Sequence, residues 1–185
     1  MRALIISDRD FQTAAYQEIH TQLSGYLKQK NFDVTEISVG RGEIAHCTGC
    51  FGCWVKTPGE CVIRDGIADI NRASMGSDAV FYLAPVVFGQ FSANMADVIN
   101  RWLPNMLPFF MVRPDGSTMH PPRYDSYPAQ VMIGYGEAVS VGDAKLFGDI
   151  THKHRSNVSA FVYSTGMDIA QQLEAIRLAR TGGML

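Results

Sequence analysis

The chain has 185 residues, 46% of them apolar and 18% charged, with a formal charge of -2 and a pI near 6.2. That composition is globular, and no apolar run approaches the ~20 residues needed to span a bilayer. The charge also lacks the basic footprint that a phosphate backbone requires, so nucleic acid and membrane are both set aside as partners, leaving a small-molecule ligand or none.

In chain order, the first apolar run is residues 3–6, a strand by its β-branched content. Acidic residues follow at once with no small-residue cleavage site, so the opening is not read as a signal peptide and a cytoplasmic protein is expected. The next loop, residues 7–13, leads into a helix with an apolar stripe at Ala15, Ile19, Leu23, Tyr26 and Leu27. Amides at that helix start suit a phosphate, with Ser7, Gln12 and Thr13 as added donors. The loop has no glycine, however, and Asp8 and Asp10 would repel an anion unless turned away; an ordinary N-cap explains the same residues.

Residues 34–39 form the second strand, and the loop after it holds all four cysteines: Cys47, Cys50, Cys53 and Cys61. A structural disulfide framework spreads its cysteines along the chain to close loops, whereas these are clustered. The three-residue spacing, with Gly49 and Gly52 between, matches the gaps of ferredoxin-type [4Fe-4S] loops. Pro58-Gly59 is a turn signal that could return Cys61 to the others. Structural zinc usually needs two separated C-x2-C knuckles, so it ranks behind a cluster and behind four reduced cysteines packed under Phe51 and Trp54.

A helix over residues 67–75, a third strand over 79–83, and a loop over 84–92 come next. That loop mixes aromatic and apolar groups with backbone donors beside Gly89, a surface on which a planar, partly polar ring could lie. Met95, Val98, Ile99 and Trp102 mark another helix. Residues 104–128, with six prolines, are read as an irregular insertion: a lid, a subunit contact, or a surface segment packed by its own Phe109, Phe110, Tyr124 and Tyr127. A fourth strand over 129–133, a loop over 134–142, a helix over 144–152, a fifth strand over 158–163 and a helix at Ile169, Leu173 and Ile176 complete the chain.

This alternation predicts one α/β domain over residues 1–185, with the cysteine-rich loop at 46–62: a doubly wound five-stranded parallel sheet in order 2-1-3-4-5, three layers deep. Ligands of such sheets lie beyond the carboxyl ends of the strands, where the cysteine loop also emerges. His120, His152 and His154 are remote from the cysteines in sequence, and there is no Ser-His-Asp set, Walker loop or G-x-G-x-x-G.

Taken together, Cys47-Thr-Gly-Cys-Phe-Gly-Cys53-Trp, Thr57-Pro-Gly-Glu-Cys61-Val-Ile-Arg-Asp65, Pro85-Val-Val-Phe-Gly89 and Asn100-Arg101 resemble the NADPH-dependent FMN reductase and iron-sulfur flavoprotein group of the flavodoxin-like superfamily. The resemblance implies an oxidoreductase that uses FMN, a [4Fe-4S] cluster on Cys47, Cys50, Cys53 and Cys61, NAD(P)H as transient donor, a small molecule or protein as redox partner, and a homodimer or homotetramer. It implies that Ser7, Arg9, Gln12 and Thr13 contact the FMN phosphate. Pro85, Val86, Val87, Phe88, Gly89 and Gln90, with Gly134, Tyr135 and Gly136, would border the isoalloxazine. No side chain is assigned as a catalytic acid or base. The first loop departs from the group's pattern, whose Gly-Ser-x-Arg and Ser-Asn-Thr become Ser7-Asp8-Arg9 and Phe11-Gln12-Thr13 here. The alternative is a non-catalytic binding or scaffold protein with a degenerate phosphate loop and structural cysteines.

Overall fold

The computed structural model describes residues 1–114, 116–154 and 158–182. Its elements run β1 (Arg2–Asp8), α1 (Ala14–Gln29), β2 (Asp33–Val39), α2 (Gly52–Val55), α3 (Ile67–Gly76), β3 (Ala79–Val87), β4 (Gln90–Phe91) and α4 (Ala93–Asn100). Then follow β5 (Met111–Val112), β6 (Thr118–Met119), β7 (Ser126–Tyr127), β8 (Ala129–Tyr135), α5 (Val141–His154), β9 (Val158–Val162), α6 (Ile169–Glu174) and β10 (Thr181–Gly182).

Five parallel strands stand in the order β2-β1-β3-β8-β9, which is the expected 2-1-3-4-5 winding. The three inner strands, β1, β3 and β8, are buried along almost their whole length, as a sheet covered on both faces demands of its centre. The two-residue alternation then sorts their side chains. Ala3 and Ile5 face α1 and α6, packing with Ile19, Leu23, Ile169 and Leu173. Leu4 and Ile6 face the other way, against Ile67, Met95, Val98 and Phe147 of α3, α4 and α5. Each fully buried large apolar side chain contributes about 1.5–3 kcal/mol, so these two clusters carry most of the fold's stability.

β3 differs from expectation. Instead of ending at Leu83 it continues to Val87 and turns back through Phe88 and Gly89 into β4, with Val87 opposite Gln90. Both turn residues have positive φ, 50° and 73°, the pattern of a two-residue hairpin whose twist matches its strands. The segment read as a loop is therefore a hairpin, docked where Leu146 of α5 lies against Gly89 and Phe91 meets Phe147 edge to face.

In residues 104–128, β5 and β6 pair antiparallel, Met106 bridges Pro122, and β7 pairs with β10 near the chain's end. Tyr127 is buried and donates its hydroxyl to the Asn105 carbonyl at 2.5 Å, while Phe109 and Phe110 are exposed. No helix among the described residues is long and apolar enough to cross a membrane.

Candidate functional site: the crevice at the carboxyl ends of the strands

Strand register brings Asp8, Val39, the β3–β4 hairpin and Tyr135 to one end of the sheet. Here the loop after β1 becomes the hub of a hydrogen-bond network. Asp8 is fully buried, and its carboxylate accepts from the Ser92 hydroxyl at 2.5 Å, from Asn94 Nδ2 at 2.9 Å and from the Asp10 amide at 2.9 Å. Asp10 accepts from Asn94 Nδ2 and from the Arg41 amide, both at 2.9 Å. Tyr135 donates its hydroxyl to the Phe11 carbonyl at 2.9 Å. Burial, then the nearby Asp8 carboxylate, pushes the Tyr135 phenol far above its ordinary pKa, which keeps it a donor.

The alternation that sorts the core also settles where these charges point. Asp8 follows Leu4 and Ile6 in register and so reaches toward α4, whereas Ser7 follows Ala3 and Ile5 toward α1. The buried carboxylate is turned away from the start of α1. That start is capped by Thr13, whose hydroxyl accepts from the Tyr16 amide at 3.4 Å, and its first-turn amides have no intrahelical acceptor. Asp8 instead caps the short 3-10 turn of residues Arg9–Phe11.

Of the residues read as phosphate contacts, Ser7 is buried, Gln12 is exposed, Thr13 is the helix cap, and Arg9 is paired with Glu43. The amide of Gly40, then the Arg9 guanidinium, hold the Glu43 carboxyl below its ordinary pKa. A side chain at position 40 would come within 2.7 Å of Arg9 Nη2, so glycine there makes room for the pair. Among the residues read as bordering a flavin ring, Phe88 is 89% exposed at the hairpin tip and Gln90 is exposed beside it. Val86 and Val87 are half-buried, and Pro85 and Gly89 are buried. Gly134 sits in the core, where a Cβ would meet Phe147, Val86 and Val162 at 2.9–3.1 Å. Gly134 is thus a packing glycine, followed by the half-buried Gly136.

The cysteine loop wraps through two left-handed residues, Gly49 (φ 65°) and Phe51 (φ 53°), into the single turn of α2. The Pro58-Gly59 turn doubles the chain back, with the Gly59 amide donating to the Cys53 carbonyl at 3.1 Å, so Cys61 returns toward Cys53. Gly52 packs under Val62 so closely that a Cβ would lie 2.6 Å from its Cγ1. Trp54 stacks on Phe51 and donates its Nε1–H to the Met106 carbonyl at 3.0 Å. Its ring also meets His120, a residue remote in sequence that the fold brings to the loop.

The four thiols occupy different environments. Cys47 and Cys50 are exposed, Cys61 is half-buried and Cys53 is buried. The Gly52 amide, then the Thr48 hydroxyl, lower the Cys50 thiol, while burial, then the proximity of Cys61, Cys47 and Cys50, raises that of Cys53. Among the described residues no three or more His, Cys, Asp or Glu side chains converge into a group that could hold a metal ion. The set is thiols only, all on one loop.

Under this loop lies an ion pair to which sequence reading assigned no role. Arg101, the residue that ends α4, is buried and forks onto Asp65: Nη1 to Oδ2 at 2.6 Å and Nη2 to Oδ1 at 3.0 Å. The same guanidinium donates to the carbonyls of Ala45 at 2.8 Å and Ile63 at 3.4 Å. Burial opposes ionisation of Asp65, but the hydrogen bonds from Arg101 and from the amides of Ala45 and Ile67 outweigh it and hold the carboxyl below its ordinary pKa. Nothing in the local sequence links positions 65 and 101.

A separate cleft of about 850 Å³ lies between the last turns of α4 and α5 and the 104–128 segment, lined in part by Trp102, Met106, His120 and Lys153. Both helices start at the crevice end, so this cleft is remote from it.

No family model matches the chain. One curated relative, the iron-sulfur flavoprotein of Archaeoglobus fulgidus, is 37% identical over 78 residues; the match spans 42% of this chain and about a third (34%) of the relative's length. The NAD(P)H:quinone oxidoreductase from Methanothermobacter marburgensis superposes with a TM-score of 0.64 at 10% identity, over 94% of this chain and 90% of that one. The azoreductase from Bacillus anthracis str. Sterne superposes with a TM-score of 0.62 at 13% identity, over 95% and 91% of the two chains. The fold is flavodoxin-like. The resemblance is borne out by a partial sequence relative described as an iron-sulfur flavoprotein, and the expected fold by the two structural neighbours.

Proposed function

We propose that this flavodoxin-like protein is an FMN-dependent oxidoreductase that moves electrons between a reduced nicotinamide nucleotide or redox partner and an acceptor, with a [4Fe-4S] cluster on Cys47, Cys50, Cys53 and Cys61. The observation that carries the reading is a crevice at the carboxyl ends of the strands braced by Asp8, Ser92, Asn94 and Tyr135, in a chain whose loop after β2 carries four thiols. The similarity to an iron-sulfur flavoprotein supports the cofactor pair, and that to a quinone reductase and an azoreductase supports the reaction class.

In this reading the first-turn amides of α1, with Gln12 and Thr13, receive the flavin phosphate, and Asp8 is held out of its way by Ser92 and Asn94. Phe88 and Gln90 on the β3–β4 hairpin, with Gly136, border the ring. Bound FMN supplies the hydride and single-electron chemistry; the chain positions it and excludes water. A cytoplasmic homodimer or homotetramer belongs to the same proposal.

An anaerobic ultraviolet-visible spectrum of protein reconstituted with FMN, iron and sulfide, combined with metal analysis, tests it. Flavin bands together with iron and sulfide support the proposal. Flavin without iron leaves a simple NAD(P)H-dependent reductase with free cysteines, and absence of both returns the chain to the scaffold alternative.

A further inference from the structure

We propose that the cleft between α4, α5 and the 104–128 segment is a second binding site, which takes a small aromatic anion and stands apart from the crevice. Chain direction sets its place. Ile99 and Asn100 close α4, His152 and Lys153 belong to the last turn of α5, and Gln130 is the second residue of β8. The cleft therefore lies at the amino ends of the strands, opposite the crevice. Its volume, about 850 Å³, falls in the ~300–1,000 Å³ range of small-molecule sites. Its roof is held by the fold itself. β5 pairs with β6, Met106 bridges Pro122, and the Leu107 amide donates to the Pro121 carbonyl at 2.9 Å. Trp54 and Arg123 steady the same segment through the carbonyls of Met106 and Pro104, at 3.0 and 2.9 Å. Walls already fixed in this way cost a ligand little ordering entropy.

The lining selects the class of ligand. Trp102, Leu103, Met106, Met119 and Tyr127 contribute rings, thioethers and an aliphatic side chain, a surface suited to a flat apolar ring. The charges select its sign. Among the described lining residues the cations are Arg113 and Lys153, and the one carboxylate, Asp149, is already held by Lys145 at 2.5 Å. Arg113 lies along the roof with its Nε donating to the Met119 thioether at 3.1 Å, a weak acceptor that leaves the guanidinium's charge unneutralised by that bond. A carboxylate or sulfonate on the ring would meet a guanidinium and an ammonium, and charge-assisted hydrogen bonds of that kind are the strong ones. A neutral ring would gain the apolar contacts alone.

The test is a nuclear magnetic resonance titration of ¹⁵N-labelled full-length protein with naphthalene-1-sulfonate and, separately, with 1-naphthol, which has the same rings without the anion. The chain has two tryptophans, and both report on the cleft: Trp102 lines it, and the Trp54 indole N–H is bonded to the Met106 carbonyl in its wall. Saturable shifts of both indole signals are expected with the sulfonate, while the crevice amides of Gln90 and Gly136 stay in place. Arg113→Gln/Lys153→Gln should bind the sulfonate about tenfold more weakly than wild type and 1-naphthol equally well. Lys153→Gln alone, at an exposed position on α5, should show part of the same loss with the roof undisturbed. The proposal is overturned by the absence of any saturable shift at millimolar sulfonate, or by shifts at Gln90 and Gly136 in place of the indoles. Sulfonate affinity equal in wild type and double variant, or a loss shared equally by 1-naphthol, overturns it as well.

Discussion

Ser92 donates its hydroxyl to the carboxylate of Asp8 at 2.5 Å across 84 residues of sequence, joining the end of β1 to the start of α4. The same oxygen accepts the Met95 amide at 3.4 Å as the cap of α4, so one serine holds both the helix and the crevice. Replacing Asp8 by Ala removes the acceptor for Ser92 and Asn94 and leaves the serine hydroxyl buried. The expected cost is about 1–3 kcal/mol, read as a fall of roughly 2–4 °C in Tm per kcal/mol for a domain of this size. A thermal melt in which Asp8→Ala unfolds with wild type would mean the network does not brace the crevice.

The Asp65–Arg101 pair gives a larger effect. Asp65→Ala leaves a buried guanidinium without its counter-charge, at an expected cost of about 3–5 kcal/mol. Its pH dependence has a definite sign. The folded-state pKa of Asp65 is depressed, so the stabilisation is present above the unfolded carboxyl pKa of about 4 and is lost as pH falls through the lower folded value. Urea melts of wild type and Asp65→Asn should therefore differ most at neutral pH and converge below about pH 4. A difference independent of pH down to acid unfolding contradicts this.

These two pairs mark what the sequence made legible. Apolar runs such as Leu4 to Ile6 and Phe81 to Leu83 reveal buried parallel strands because burial on both faces leaves no room for alternation. The cysteine spacing likewise exposes its loop without any tertiary information. Asp8, by contrast, read as an ordinary cap or a charge hostile to phosphate, since its true partners lie 84 and 86 residues away and only the face assignment of β1 decides which way it points. Arg101 and Asp65 were visible as motif residues, but their contact depends on how α4 packs against α3. The hairpin after Leu83 was missed for a local reason. Phe88 takes a left-handed conformation that a phenylalanine rarely adopts, so the turn carries half of the expected Asn-Gly signal.

That conformation makes a prediction of its own. Left-handed backbone costs an ordinary residue about 1–2 kcal/mol, and Phe88, being 89% exposed, gains little packing to offset it. Phe88→Asn should raise stability by about 1 kcal/mol while weakening FMN retention on dialysis, because the tip aromatic is lost from the crevice rim. Unchanged Tm would refute the strain argument, and unchanged retention would remove Phe88 from the flavin site.

Gly52 tests the loop's packing. A methyl at this position would come 2.6 Å from Val62 Cγ1, which forces apart the chain segments carrying Cys53 and Cys61. Gly52→Ala should reduce the iron bound after reconstitution, and Gly52→Ala/Val62→Ala, which frees the space, should recover it. If the double variant is as deficient as the single one, the close approach of Gly52 to Val62 is not what sets the loop.

The thiols themselves can be ranked by reactivity, because the thiolate is the nucleophile. Cys50 is exposed, and the Gly52 amide and the Thr48 hydroxyl lower its pKa; Cys53 is buried, and its pKa is raised by that burial and by its neighbours. In iron-free, reduced protein at pH 7, iodoacetamide should therefore alkylate Cys50 well before Cys53, as followed by peptide mass spectrometry. Raising the pH past about 9 narrows the gap by ionising both, although burial continues to slow Cys53. Reconstitution with iron and sulfide should then protect both positions together, since a shared cluster withdraws all of its ligands at once. Protection of one without the other would show that the two thiols do not serve the same site.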